Sequence, residues 1–143
     1  MKIAPLQNTH ISAVAEIERA CFPDCWGEQT WRSFFSRSDF FGFVAEEGDK
    51  VLGYVCGTSL FEDSELLRIA VRAEERKNGL GEKLLCSLIE EAKNKGTEKM
   101  FLEVRENNTP AVKLYEKNSF ERTRIRKNYY ADGENGVEML KKL

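Results

Sequence analysis

Histidine occurs once in this chain, at His10, and proline only three times. A His-rich zinc site is therefore excluded. A Ser-His-Asp or Cys-His hydrolase would have to use His10, and no pattern around it supports that chemistry. The four cysteines, Cys21, Cys25, Cys56 and Cys86, form no CxxC pair. Pro23 and Gly27 argue against a helical metal pair of Cys21 with Cys25, and Cys56 and Cys86 lie in apolar stretches as small core residues. All four are expected to be reduced thiols, and no metal site is expected. Neither sign of charge dominates: 22 Lys+Arg stand against 24 Asp+Glu, a net charge of −2. That is far from the balance of a nucleic-acid-coating protein, so no direct nucleic-acid partner is expected. No apolar run approaches the roughly 18 residues of a membrane span, and Met1-Lys2-Ile3-Ala4-Pro5 lacks the apolar stretch of a signal peptide. What is present is 41% hydrophobic and 10% aromatic residue, which can build a core and argues against disorder. At 143 residues the expectation is one domain, 1–143, soluble, cytoplasmic, away from membranes and monomeric by default.

Apolar spacing predicts the elements. Residues 2–6 read as a short strand. Residues 10–21 read as a helix, with Ile11, Val14, Ala15, Glu18 and Cys21 at helical intervals. A second helix over 28–37 carries Trp31, Phe34 and Phe35, after a break at Pro23-Asp24 and Trp26-Gly27. Strands follow over 41–46 and 50–59 around a Gly48-Asp49 turn, then over 64–71. Leu80, Leu84 and Leu88, flanked by Leu85, Ile89 and Ala92, form the broad stripe of a helix over 80–95 that stops at Gly96. A strand over 99–105 precedes a short helix over 110–118, with Thr109 as N-cap and Pro110 as the first helical residue. Two closing strands, 120–128 and 136–142, flank an Asp132-Gly133 turn. Alternation of strand and helix over 64–118 implies parallel strands joined by a crossover helix, whereas the flanking strands resemble hairpins. The fold class is α/β, a mixed sheet with helices on both faces.

Two glycines, Gly79 and Gly81, stand where the strand over 64–71 gives way to the strongest helix. Glycine permits positive φ and close backbone approach, and the free N–H groups of a helix start attract an anion. Arg76 and Lys77 add positive charge. The residues allow a phosphate-bearing cofactor or a plain solvent loop. A P-loop is excluded, since no Gly-Lys-Ser/Thr follows. A dinucleotide fingerprint remains open: Glu103 lies about where a ribose-binding acid would be, but Leu84 occupies the place of the third glycine.

Arg76-x-x-Gly79-x-Gly81 resembles the Arg/Gln-x-x-Gly-x-Gly/Ala acetyl-CoA signature of GNAT-type N-acetyltransferases. The likeness extends over nearly the whole chain. Ile17-Glu18-x-x-Cys21-Phe22-Pro23, Leu67-x-Ile69-Ala70-Val71, Leu102-Glu103-Val104-Arg105-x-x-Asn108, Ala111-x-x-Leu114-Tyr115-Glu116 and Arg126-Lys127-Asn128-Tyr129-Tyr130 resemble the ribosomal-protein alanine N-acetyltransferase (RimI) group. The resemblance implies a central, mostly antiparallel sheet with one splayed parallel pair, here 64–71 and 99–105, that admits the pantetheine arm.

It further implies acetyl-CoA as cosubstrate. Backbone groups of Ile69, Ala70 and Val71 would hold the pantetheine and thioester. Lys77, Asn78, Gly79, Leu80, Gly81 and Glu82 would cradle the pyrophosphate, with Arg76 at its edge and Asn108 on the pantetheine. Glu103 matches the family's base and Tyr115 its acid, while Tyr129 and Tyr130 are candidates for a peptide slot. The implied acceptor is the N-terminal alanine of a ribosomal protein, small-subunit protein eighteen. An α-amine, with a pKa near about 8 against roughly 10.4 for lysine, needs only a carboxylate base. The alternatives are the same chemistry on a small amine or lysine, and a non-catalytic acyl-CoA-binding module; Glu103 together with Tyr115 speaks against the latter. Three segments depart from the family pattern, one being the Glu74-Glu75 and Lys77-Asn78 pairs that replace the more basic, glycine-rich form around the cofactor turn. Ser119 replaces the usual glycine before Phe120, so Asn118 is expected to take the left-handed cap, and Asp24-Cys25-Trp26-Gly27 varies the segment near the substrate entrance.

Overall fold

The leucine stripe of the central helix buries Leu84, Leu85 and Leu88 completely, so this helix must lie flat on a sheet rather than stand in solvent. The computed structural model describes all 143 residues. In chain order the elements are β1 (Lys2–Pro5), α1 (Ile11–Cys21), α2 (Glu28–Phe35), β2 (Phe40–Glu47), β3 (Lys50–Leu60), β4 (Asp63–Val71), α3 (Leu80–Asn94), β5 (Lys99–Arg105), α4 (Thr109–Lys117), β6 (Glu121–Arg126) and β7 (Gly136–Lys142). The seven strands form one sheet in the order β1-β2-β3-β4-β5-β7-β6. Every neighbouring pair is antiparallel except β4 with β5. Strand alternation sends Met100, Leu102 and Val104 to one face, where they pack with α3, Val112 and Tyr115 of α4. Val44, Tyr54, Cys56 and Ala70 point to the other face, against α1 and Trp31 of α2. No helix is long and apolar enough to cross a membrane.

The parallel ladder is short. Asp63, Ser64 and Glu65 pair with Lys99, Met100 and Phe101, and no pairing continues beyond them. The parting has a local cause. In the β3–β4 register, Cys56 faces Arg68 but Gly57 faces Leu66, so Leu67 is an extra residue on β4. Such a bulge bends and twists its strand. Gly57 permits the close approach, because a Cβ there would overlap the Glu65 carbonyl oxygen.

Most expected element boundaries agree with the structure to within one or two residues. Two end-group expectations do not. Asn108, not Thr109, is the N-cap of α4: its side chain accepts from the Ala111 N–H at 3.4 Å, because the amide oxygen reaches back over the first turn. At the other end Ser119 itself adopts φ +72°, while Asn118 stays at negative φ. The Ser119 N–H donates to Glu116 O, and the Phe120 N–H to Tyr115 O, both at 3.0 Å. This double bond pattern requires the left-handed residue at 119. It leaves the Asn118 amide free to donate to Glu82 and to the Leu114 carbonyl. The strand expected over 120–128 ends at Arg126, since Asn128 turns to φ +52° and its N–H donates to Asn135 Oδ1 at 2.9 Å.

Left-handed backbone costs a non-glycine residue about 1–2 kcal/mol, part of which glycine returns through its looser unfolded chain. Ser119→Gly is therefore expected to stabilise the fold by about 0.5–1 kcal/mol. Urea unfolding followed by circular dichroism checks this, and a lower midpoint contradicts it.

Candidate active site

Where β4 and β5 part, backbone groups of residues 66–71 on the β5 side lose their ladder partners. Unpaired backbone polar groups need either water or a ligand. The gap opens into a cleft of about 770 Å³ lined by Ile69, Ala70 and Val71 on one side and Asn108, Ala111 and Tyr115 on the other. Its far end is formed by Arg76, Lys77, Gly79, Leu80, Gly81 and Glu82. Ten of the eleven residues expected to hold the cofactor thus line one cleft; Asn78 does not.

Gly79 is the N-cap of α3 at φ +76°, and nothing stands within 4 Å of where its Cβ would be. The first turn of a fifteen-residue helix consequently faces open space with free N–H groups. This is a cradle for an anionic group. Lys77 also lies at positive φ, +69°. Two side chains differ from expectation. Arg76 folds back, its Nε donating to the Val71 carbonyl at 3.0 Å and Nη2 lying 3.2 Å from Cys21 Sγ. Glu82 carries negative charge into the cleft, but Lys117 Nζ at 3.2 Å and the Asn118 amide at 3.1 Å compensate it. Those hydrogen bonds, from Asn118 first, hold the Glu82 carboxyl below its ordinary range.

A narrower passage of about 150 Å³ continues through the splayed strands. It shares Ile69, Asn108 and Tyr115 with the cleft, and Glu103 with an outer cavity of about 390 Å³ on the other side. Glu103 and Tyr115 therefore border the same passage from β5 and α4. Glu103 Oε1 lies 3.4 Å from Arg126 Nε. Its Oε2 is buried and has no hydrogen-bond partner. The Tyr129 hydroxyl approaches the same carboxylate, and this contact, ahead of burial, raises that phenol above its ordinary range. Tyr115 is buried, edge-on to Phe120 at 5.7 Å. Burial and then the nearby Tyr130 push its hydroxyl well above the ordinary phenol range, so it keeps its proton at neutral pH.

The two candidate peptide-slot tyrosines separate. Tyr130 lines the passage; Tyr129 packs edge-on against it at 5.1 Å and remains about half exposed. Both sit in the loop after β6 rather than on a strand. Arg105 fixes that loop: its guanidinium lies 4.2 Å from the Tyr130 ring centre and pairs with Asp132 and Glu134 at 2.9 and 2.8 Å. Arg105 stands in the Leu-Glu-Val-Arg motif but received no role from the sequence. Glu18 likewise has no role assigned by the sequence, although a carboxylate within an apolar helical stripe is a visible signal. It is fully buried and pairs with Arg68.

The model of the acetyltransferase (GNAT) family matches residues 11–120. The [ribosomal protein bS18]-alanine N-acetyltransferase of Escherichia coli (strain K12) is 31% identical over 128 residues, covering 90% of this chain and 86% of that protein. A crystal structure of the ribosomal-protein-S18-alanine N-acetyltransferase from Escherichia coli superposes with a TM-score of 0.91 at 30% identity, over 99% of this chain and 92% of that one. Arabidopsis thaliana NAA60 in complex with acetyl-CoA has the same fold, with a TM-score of 0.89 at 15% identity over 99% and 98% of the two chains. The splayed parallel pair, the glycine-started α3 and a match that spans most of the length agree: the chain belongs to the acetyltransferase (GNAT) family.

Proposed function

We propose that this protein transfers the acetyl group of acetyl-CoA to the α-amine of a protein N-terminus, with the N-terminal alanine of ribosomal protein bS18 as its acceptor. One observation carries the reading: a free, buried carboxylate oxygen and a buried neutral phenol border one passage that opens onto an anion-cradling cleft. The named activity of the Escherichia coli relative supports the choice of acceptor. Acetyl-CoA fits the cleft on chemical grounds. Its phosphates suit the exposed amides at Gly79, and its amide-bearing arm suits the unpaired edge of β4.

The acceptor amine enters from the side of the outer cavity and meets Glu103. Glu103 takes a proton from the ammonium, directly or through water, and leaves a neutral nitrogen. That nitrogen forms its bond to the thioester carbonyl carbon as the carbon–sulfur bond breaks. Tyr115, buried beside the passage, gives its proton to the departing thiolate; the excess proton of the new amide nitrogen passes through water to the Tyr115 phenolate, and Glu103 releases its own to solvent, leaving a neutral amide and a free thiol. Backbone groups of Ile69 to Val71 hold the carbonyl in place, and Asn108 the arm. Tyr130, braced by Arg105, forms the wall against which the first acceptor residue lies.

A thiol-release assay with acetyl-CoA and three peptides tests the acceptor: Ala-initiated, Ser-initiated, and N-blocked with an internal lysine. The Ala peptide should be acetylated fastest; activity confined to the blocked lysine peptide overturns the reading. For the chemistry, Glu103→Gln should lower kcat/KM about 10²-fold and shift its pH profile upward, since the amine must then lose its proton to solvent near about pH 8. Tyr115→Phe should lower kcat by a similar factor with acetyl-CoA affinity unchanged by calorimetry. Wild-type turnover in both variants contradicts these roles.

A further inference from the structure

The connector between α1 and α2, residues 22–27, forms no helix or strand, yet Phe22, Pro23 and Asp24 wall the passage opposite Glu103. Its position is held by charge. Glu18, fully buried on α1, accepts a hydrogen bond from the Trp26 backbone N–H at 2.9 Å and another from the Tyr54 hydroxyl. Its Oε2 lies 3.1 Å from Arg68 Nε. Arg68 Nη2 in turn donates to the Asp24 carbonyl at 2.9 Å. The guanidinium lies 4.5 Å from the Phe22 ring centre and 4.9 Å from that of Trp26. One side chain therefore touches the connector at residues 22, 24 and 26. It stands on β4 immediately before Ile69, which lines the cofactor cleft.

We propose that Arg68, anchored by Glu18, is a positioning residue that sets the connector's distance from Glu103 and thereby the fit of the acceptor. The inference rests on the acetyl-transfer reading above. A buried ion pair is a poor way to gain stability, because desolvation of both charges offsets their attraction. What the pair supplies is direction: a planar guanidinium can pair with the Glu18 charge, donate from Nη2 to the Asp24 carbonyl and still turn its faces to two aromatic rings. A lysine ammonium is a compact charge that keeps one contact and loses the others. Transfer needs the amine within roughly 3–3.5 Å of the carbonyl carbon, so a shifted wall acts on acceptor binding and alignment. Phe22 also borders the cofactor cleft, but the anion cradle at its far end, from Arg76 to Glu82, is formed by residues that make no contact with Arg68.

The test compares wild type, Arg68→Lys, and the charge-free double variant Glu18→Gln/Arg68→Met, which leaves no buried unpaired charge. The acceptor is whichever amine of the peptide panel wild type acetylates fastest, so failure of the alanine assignment does not disturb this test. Arg68→Lys should raise acceptor KM at least tenfold, while the Kd for acetyl-CoA measured by calorimetry changes less than twofold. The double variant should melt within a few degrees of wild type yet show the same rise in acceptor KM. Acceptor KM unchanged in both variants, whatever their melting temperatures, overturns the positioning role and leaves the acetyl-transfer reading standing. A wild type that acetylates no amine of the panel overturns both.

Discussion

The parting of β4 from β5 after three paired residues is the constraint on which the rest of the structure depends. A parallel pair inside a sheet would ordinarily continue, because each interrupted position leaves backbone groups without partners. Here the extra residue at Leu67 turns β4 away, and Gly57 gives it room. The sheet keeps its continuity on either side: β3 holds β4 along its length, and β7 pairs with all of β5. The gap is thus rigidly framed. It is a slot between two fixed edges, and both the cofactor cleft and the inner passage follow from it.

Charge is arranged around that slot locally. The chain as a whole is slightly acidic, yet the start of α3 presents free amides, and the one carboxylate beside them, Glu82, is compensated by Lys117 and Asn118. On the opposite side of the strands the carboxylates are left less compensated. Burial and then Glu103 raise the Glu65 carboxyl above its ordinary range, and Glu103 keeps one oxygen without a partner. Free helix-start amides stand at one mouth and a carboxylate with an unpartnered oxygen at the other. The two ends of the slot therefore suit reactants of opposite charge.

Periodicity made much of this legible. The leucines of α3 and the alternation of β5 predict their elements because burial of one face is a local pattern in the chain. The glycines at 79 and 81 marked the anion cradle for the same reason: a backbone requirement is written at the residue that meets it. End groups were less legible. Asn108 and Thr109 are both competent caps, as Asn118 and Ser119 are competent for the left-handed turn; in the fold the Asn108 side chain takes the Ala111 N–H, and the Asn118 amide is engaged by Glu82. The bulge at Leu67 had only Gly57 inside β3 as a signal, and which residue became the extra one is a matter of register between two strands.

The sequence by itself determined the elements, their apolar faces, the glycine-started helix and a resemblance that points to acyl transfer. Each is a property of residues close together in the chain. Tertiary structure alone decided that Glu103 and Tyr115, on different elements, border one passage, and that Arg76 is tied to the Val71 carbonyl at the cleft's edge. It alone joined Glu18 to Arg68, fifty residues apart, beneath the connector. Burial, hydrogen-bond partnership and the free oxygen of Glu103 are relations among side chains brought together by the sheet. No run of residues encodes them until the strands have paired and parted.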